Sequence, residues 1–385
     1  MTSRAALEAP GDKNHGRFRV ELVDPAVLDS HLEAWDQLGD QALEVNPFFE
    51  SWFLRPALRH LTHGQRIQIL LVWNGSQLVG LFPLVWQGNC KGIPWPVLSG
   101  WTHQHCFLGI PLIHQDHAGA TLHALFNHLP SLLGWRGLLR FPMVDLQGKF
   151  ATALVSCLNG RQLPYYEDPG FSRPWFQRME PNPEEYLGKV MSSKSRKRLL
   201  RQEQTLKDRG LLEYGDLVGS EGKLYSAIDA FGKLEGSGWK GRAGTALMQS
   251  DSDWAFFRAC AEQAQRRGRI SMHAIQLENR PIAIDCNFHS GRTVFAFKTT
   301  FDESFADQSP GVLLEVHLLR NMMQRADHDF IDSCVAAPGS PLERLYTGRR
   351  HITTIIVPGG GMVSNRFVQS LPWARRWYAR LRGKT

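Results

Sequence analysis

The chain has 385 residues, 43% of them hydrophobic and 21% charged, with a formal charge of +7. This is globular composition at a length beyond the limit of one core, so it excludes a wholly disordered chain and predicts two domains. The positive balance favours an anionic partner, whether nucleic acid, phosphorylated cofactor or membrane surface, without choosing among them.

Residues 1–17 are polar and lack the apolar segment of a signal peptide, so a disordered leader is expected. "FRVELV" from Phe18 alternates as a strand does, and Leu28, Leu32 and Trp35 recur at helical spacing. "FFESWFLRPALRHL" reads as a second helix. "RIQILLVWNGSQLVGLFPLVW" holds two apolar strands joined by Asn74-Gly75, a strong hairpin signal. A helix "ATLHALFNHLPSLL" and a strand "GLLRFPMV" follow. None of the apolar runs is long enough for a membrane span.

The second half repeats this order. "LYSAIDAFGKLE" and "DWAFFRACAEQAQRRG" read as helices, and "RISMHAIQLENRPIAIDCNFHSGRTVFAFKTTF" reads as three strands. A turn at Ser309-Pro310-Gly311, the amphipathic "VLLEVHLLRNMMQRA" and a short strand "DFIDSC" complete an α+β unit. Two such units account for the length.

The six cysteines, Cys90, Cys106, Cys157, Cys260, Cys286 and Cys334, include no C-x-x-C pair, so neither disulfide nor zinc is expected and the cytosol is the expected compartment. His103, His105, His114 and His117 cluster without a metal-ligand spacing; His103 and His105 are expected to line an acceptor cleft or to sit in a polar loop. "MSSKSRKRLLRQEQTLKDRG", Met191 to Gly210, sets seven cations against two acids. Leu199 and Leu206 lie seven apart in it, which predicts a half-solvated helix whose basic face is either simply hydrated or meets phosphates. Nucleic-acid recognition is disfavoured, because no interleaved aromatics or known module surround the charge. Near the end, Ala374, Trp377, Tyr378 and Leu381 form an apolar helical stripe flanked by Arg375, Arg376, Arg380 and Arg382, fit either to dock on the protein or to lie on an anionic membrane.

Five segments, "SSKSRKRLLRQ", "LEGSGWKGRAGTAL", "GRISMHAIQLENRPIAIDCNF", "SPGVLL" and "DFIDSCVAAPGSPLERLYTGRR", together with the element order, carry a resemblance. The chain resembles the GNAT acyltransferases, in particular the branch of CelD-like (BioF2-like) acetyltransferases and FemABX peptidyltransferases. The likeness spans residues 180–356, and Tyr346 stands where the family often has Trp. It implies tandem GNAT-like units of mixed, largely antiparallel sheets flanked by helices, at 18–178 and 179–360, with a basic tail at 361–385. It further implies transfer of an acyl group, expected to be acetyl, from acyl-CoA to an amine or hydroxyl of a glycan or glycan precursor in polysaccharide biosynthesis, without a metal. A FemX-like peptidyltransferase using aminoacyl-tRNA and a non-catalytic scaffold in a polysaccharide-synthesis complex are the alternatives. The tail makes the inner face of the membrane a possible peripheral location.

On this resemblance Gln308, Ser309, Pro310, Gly311 and Val312 are the expected phosphate loop, since a helix start offers open N–H donors and partial positive charge. Trp239 and Lys240, expected on a glycine-rich loop, are candidates for an acceptor pocket: indole to stack, ammonium to pair an anion. A general base is needed to deprotonate the acceptor. Glu235 and Asp332 lead that set, with Asp302, His273 and Asp285 behind them. A register that pairs His273 with Asn287 sets His273 and Asp285 on one face, and a one-residue slip separates them.

Overall fold

A computed structural model describes residues 18–179, 182–219, 223–325, 327–335 and 342–381, with side chains through Arg375. The expected leader at 1–17 lies outside the described residues, as do the side chains of Trp377, Tyr378 and Leu381 on the tail stripe. In chain order come β1 (Phe18–Val23), α1 (Leu32–Asp40), α2 (Ser51–His60), β2 (Ile67–Asn74), β3 (Gln77–Cys90), β4 (Ile93–Gly100) and β5 (Leu112–Ile113). Next are α3 (Ala118–Leu133), β6 (Leu138–Asp145), α4 (Lys149–Gly160), β7 (Tyr166–Glu167), β8 (Phe171–Gln177), α5 (Pro183–Val190), α6 (Ser193–Lys207) and β9 (Leu212–Asp216). Then follow α7 (Leu224–Ser237), α8 (Trp239–Arg242), α9 (Asp251–Arg266), β10 (Ile270–Leu277), β11 (Arg280–Ser290) and β12 (Thr293–Phe301). Last are α10 (Pro310–Arg325), β13 (Phe330–Asp332), α11 (Leu342–Leu345), β14 (Gly348–Pro358) and α12 (Met362–Leu381).

The chain forms two compact units. The first takes the described residues up to 54, those at 62–171 and those from 351 on; the second takes 55–61 and 172–350. Within the first, strands run in the order β1-β2-β3-β4-β6-β14, antiparallel apart from the parallel β4·β6 pair. The β2–β3 hairpin turns where Asn74-Gly75 predicts it: Asn74 faces Gln77, and Gly75 takes a φ of 61°, which glycine adopts without Cβ strain. The sequence reading does not include β4, because Pro94 and Pro96 break its pattern. Its proline-bearing half pairs with β3 alone and is largely exposed, whereas Val97–Ser99 also pair with β6. Proline, which cannot donate to a ladder, thus occupies an edge segment.

In the second unit the order is β8-β13-β12-β11-β10-β9, antiparallel except for the parallel β12·β13 pair. This is the α+β arrangement expected. Strand alternation gives β11 two chemically distinct faces. Cys286 and Phe288 are fully buried on one, where Phe288 meets Phe297 at 4.9 Å between ring centroids and Phe297 stacks on Phe257 of α9. Asp285, Asn287 and His289 occupy the other and line a cavity under α10. The glycine-rich segment read as a loop is helical instead: α7 runs on to Ser237, and α8 begins at Trp239. A Cβ on Gly241 would lie 1.8 Å from the Gly236 carbonyl oxygen, so the glycines permit this tight helix contact.

Candidate active site

The expected phosphate loop forms the start of α10. Ser309 turns left-handed at φ 51°, Pro310 opens the helix, and the N–H groups of Val312 and Leu313 both donate to the Ser309 carbonyl. Gly311 lies in the first turn, and its N–H, unlike those of Val312 and Leu313, has no acceptor there among the described residues. A Cβ at Gly311 would meet only Phe301 Cδ1, at 3.8 Å, so the approach to this turn is open. Gln202 of α6 donates to the Asp307 carbonyl and, at 3.2 Å, to Ser309 Oγ, which ties the basic helix to the loop. Lys194, Lys197, Arg198 and Arg201 of that helix are exposed. The Gly311 N–H and these cations are the groups present that suit the phosphates of acyl-CoA.

Farther along, α10 covers a polar cavity of 360 Å³ against β9, β10 and β11. The register pairs His273 with Asp285 on one side and with Asp216 on the other, so both carboxylates share its face. Asp285 accepts from Thr299 Oγ1 at 2.7 Å and from Asn287 Nδ2 at 3.1 Å, yet its pKa is raised because burial disfavours the anion. Burial lowers the pKa of His273, keeping it neutral and able to accept a proton. From α10, Glu315 enters the same space and accepts a hydrogen bond from the Tyr346 hydroxyl. Burial first, then the Asp285 charge, push Glu315 up to about 8. The cavity therefore combines a neutral imidazole, a carboxylate and an acid that keeps its proton at neutral pH, the partners that general acid–base chemistry requires.

The other candidates lie apart from this cavity. Glu235 is 1% exposed; its Oε2 accepts from the Leu247 N–H at 2.8 Å and its Oε1 from Lys240 Nζ at 3.1 Å. Lys240 also donates to the Thr299 carbonyl at 3.0 Å, and Thr299 is the residue whose hydroxyl holds Asp285. Trp239 is 56% exposed, with its backbone N–H on Glu303. Asp302 bonds to Arg280 and caps the turn before α10 through the Ser304 N–H. Asp332 is fully buried between Arg350, at 2.7 Å, and Arg173, at 3.4 Å.

His103 and His105 belong to the first unit. His103 packs on Trp101 and Phe53, and burial, with His105 and His63 nearby, lowers its pKa to about 3. His105 donates its N–H to His103 Nδ1 at 3.3 Å.

Glu315, Tyr346, Asp216 and Ser271 are absent from the sequence-based set. One signal was available for Glu315: it stands on the apolar stripe of α10 with Val312, Leu319 and Met322, where an acid is out of place.

Residues 193–337 match the family model described as an acetyltransferase (GNAT) domain. No curated protein matches the chain. Among solved structures, FemX aligns with a TM-score of 0.56 at 9% identity, covering 88% of this chain and 98% of its own. A C-terminal DUF2156 domain from Agrobacterium fabrum gives 0.52 at 8% identity, covering 89% and 95%. A tandem GNAT protein from the clavulanic acid biosynthesis pathway covers 89% and 99% at 12% identity, with a TM-score of 0.43. At these identities the likeness to FemX and to the DUF2156 domain is one of fold, and the matched segment identifies residues 193–337 as a GNAT-type acetyltransferase domain.

Proposed function

We propose that the protein is an acyltransferase of CelD-like type that moves an acetyl group from acetyl-CoA to an amine or hydroxyl of a glycan or glycan precursor in polysaccharide biosynthesis. The observation that carries the reading is the convergence on α10 of an open helix start tied to a basic helix and, farther along, an acid–base cavity. Gln308 to Val312 and the exposed cations of α6 hold the phosphates of the donor, which supplies the activated thioester carbonyl. The acceptor occupies the cavity. There His273 takes up a proton while Asp285 favours the cation that forms, and Glu315 in its acid form donates a hydrogen bond.

Glu235 and Lys240 act from behind β12. Their ion pair fixes the Thr299 carbonyl, and Thr299 orients Asp285. In this reading Asp332 holds Arg173 and Arg350 rather than abstracting a proton, since both of its oxygens are engaged by guanidinium groups. The protein works in the cytoplasm, with the basic tail as a peripheral membrane contact. Among the described residues no helix is long and apolar enough to cross a membrane.

Thermal-shift titration tests the donor. A ligand that binds only the folded state raises its stability by RT ln(1 + [L]/Kd), about 3 kcal/mol at a hundredfold excess over Kd. Acetyl-CoA is expected to stabilise the protein. Stabilisation by aminoacyl-tRNA alone would favour the peptidyltransferase reading, for which the exposed cations of α6 are the supporting feature, and no response to either would favour the scaffold.

A further inference from the structure

Four side chains that the proposed chemistry does not use line the cavity from its buried wall to its exposed rim. Ser271 Oγ lies 2.9 Å from His289 Nε2, His289 Nδ1 lies 2.9 Å from His328 Nε2, and His328 Nδ1 lies 3.3 Å from Asp327 Oδ1. All four line the cavity; Ser271 is 7% exposed, whereas the Asp327 side chain is 52% exposed. Two hydrogen bonds and a 3.3 Å contact thus join a buried hydroxyl to an exposed carboxylate.

The direction of the two ring hydrogen bonds is set by the tautomer of His328. An ionised carboxylate only accepts, and a neutral imidazole has one N–H and one acceptor nitrogen. In the tautomer with its hydrogen on Nδ1, the nitrogen nearer Asp327, His328 accepts at Nε2. His289 in turn carries its hydrogen on Nδ1 and accepts the Ser271 hydroxyl at Nε2. Burial first, then the neighbouring His328 and His273, hold His289 neutral with a pKa of about 3; Arg269 adds to this and Asp327 opposes it. Ser271, donating into the protein, is left with lone pairs for a ligand. Asn287 is 3% exposed, and its Oδ1, which has no partner among the described residues, belongs to the same cavity. Both groups call for a ligand that donates hydrogen bonds.

We propose that Ser271, His289, His328 and Asp327 form a proton relay that takes a proton from an ammonium group bound in the cavity and delivers it to solvent, leaving the free amine that attacks the thioester. The relay rests on the reading of the cavity as the acceptor site. As the acyl carbon bonds to the acceptor, the electron pair of the broken C–S bond leaves on sulfur, which is protonated from water. An ammonium acceptor sheds two protons: His273 takes the one released as the N–C bond forms, and the one shed beforehand passes to Ser271 Oγ while the serine hydrogen moves to His289 Nε2. The Nδ1 hydrogen of His289 moves to His328 Nε2, that of His328 moves to Asp327, and Asp327 yields it to water. Each centre loses one hydrogen for each it gains.

Two measurements test this. Nitrogen-15 NMR of histidine-labelled protein reads the tautomers with neither donor nor acceptor present. Hydrogen on Nδ1 of both His289 and His328 is expected, and hydrogen on His289 Nε2 overturns the relay, because Ser271 would then be accepting. In the full chain, His328→Ala removes a ring at a partly exposed position and is expected to slow acyl transfer tenfold or more, with added imidazole restoring the rate as a small proton carrier. An unchanged rate, or a loss that imidazole does not restore, overturns the proposal. Failure of the acyltransferase reading shows separately, as absence of acyl transfer by the unmodified chain, and the tautomers still decide the relay.

Discussion

Replacing Glu315 by glutamine removes a carboxyl group that the fold holds in its protonated form. Glu315 is pushed up to about 8 from an ordinary value of 4.5, by burial and by the charge of Asp285. Between those values the folded chain keeps a proton that the unfolded chain has released. The unfolded state then binds fewer protons, so stability falls as pH rises, beginning above 4.5 and ending near 8. The span is roughly 3.5 pH units, and at about 1.4 kcal/mol per unit it sets a ceiling of about 5 kcal/mol. Water drawn into the cavity on ionisation, and sharing of the proton with Asp285, bring the expected fall between pH 5 and pH 8 to about 2 kcal/mol. Glutamine keeps an oxygen for the Tyr346 hydroxyl and has no proton to lose, so Glu315→Gln should not share this fall. Because a chain of two compact units need not unfold in one step, urea titration is read by hydrogen exchange at β11 amides rather than by a global signal. A stability gap between the two proteins that stays constant from pH 5 to 8, or that shifts toward the unmodified chain at higher pH, would refute the reasoning.

Gly311→Val should fold normally, since only Phe301 lies near the new side chain, but should weaken acetyl-CoA binding at least tenfold by calorimetry; unchanged affinity would remove the loop from the site. Lys240→Ala leaves the buried Glu235 carboxylate without its cation and should cost about 3 kcal/mol in urea unfolding, whereas Lys240→Met with Glu235→Gln should recover much of that; a Lys240→Ala protein of unchanged stability would contradict the pairing. For the tail, vesicle co-sedimentation compares the full chain with one ending at Arg375, which keeps Leu371 in its buried position. Binding that needs anionic lipid, weakens with salt and disappears on truncation is expected of a membrane contact; equal, negligible binding by both would leave the tail as a packing element.

The sequence by itself determined most of the local structure. The hairpin at Asn74-Gly75, the helical periods, the three-strand run and the helix start at Pro310 are written in neighbouring residues, because turns and amphipathic faces are short-range properties. It also set one face of β11, since Asp285, Asn287 and His289 alternate with Cys286 and Phe288 whatever the fold. What those side chains meet was decided by tertiary structure. Two registers, neither inferable from one strand, put His273 opposite both Asp285 and Asp216. Glu315 finds Tyr346 across 31 residues, and Asp332 finds Arg173 across 159. Glu235 and Lys240 are close in sequence, yet only packing shows the carboxylate wholly buried and held by its neighbour. The physical reason is the same in each case: a charged group's chemistry is set by its solvation and by the partners within a few ångströms, and long-range packing decides both.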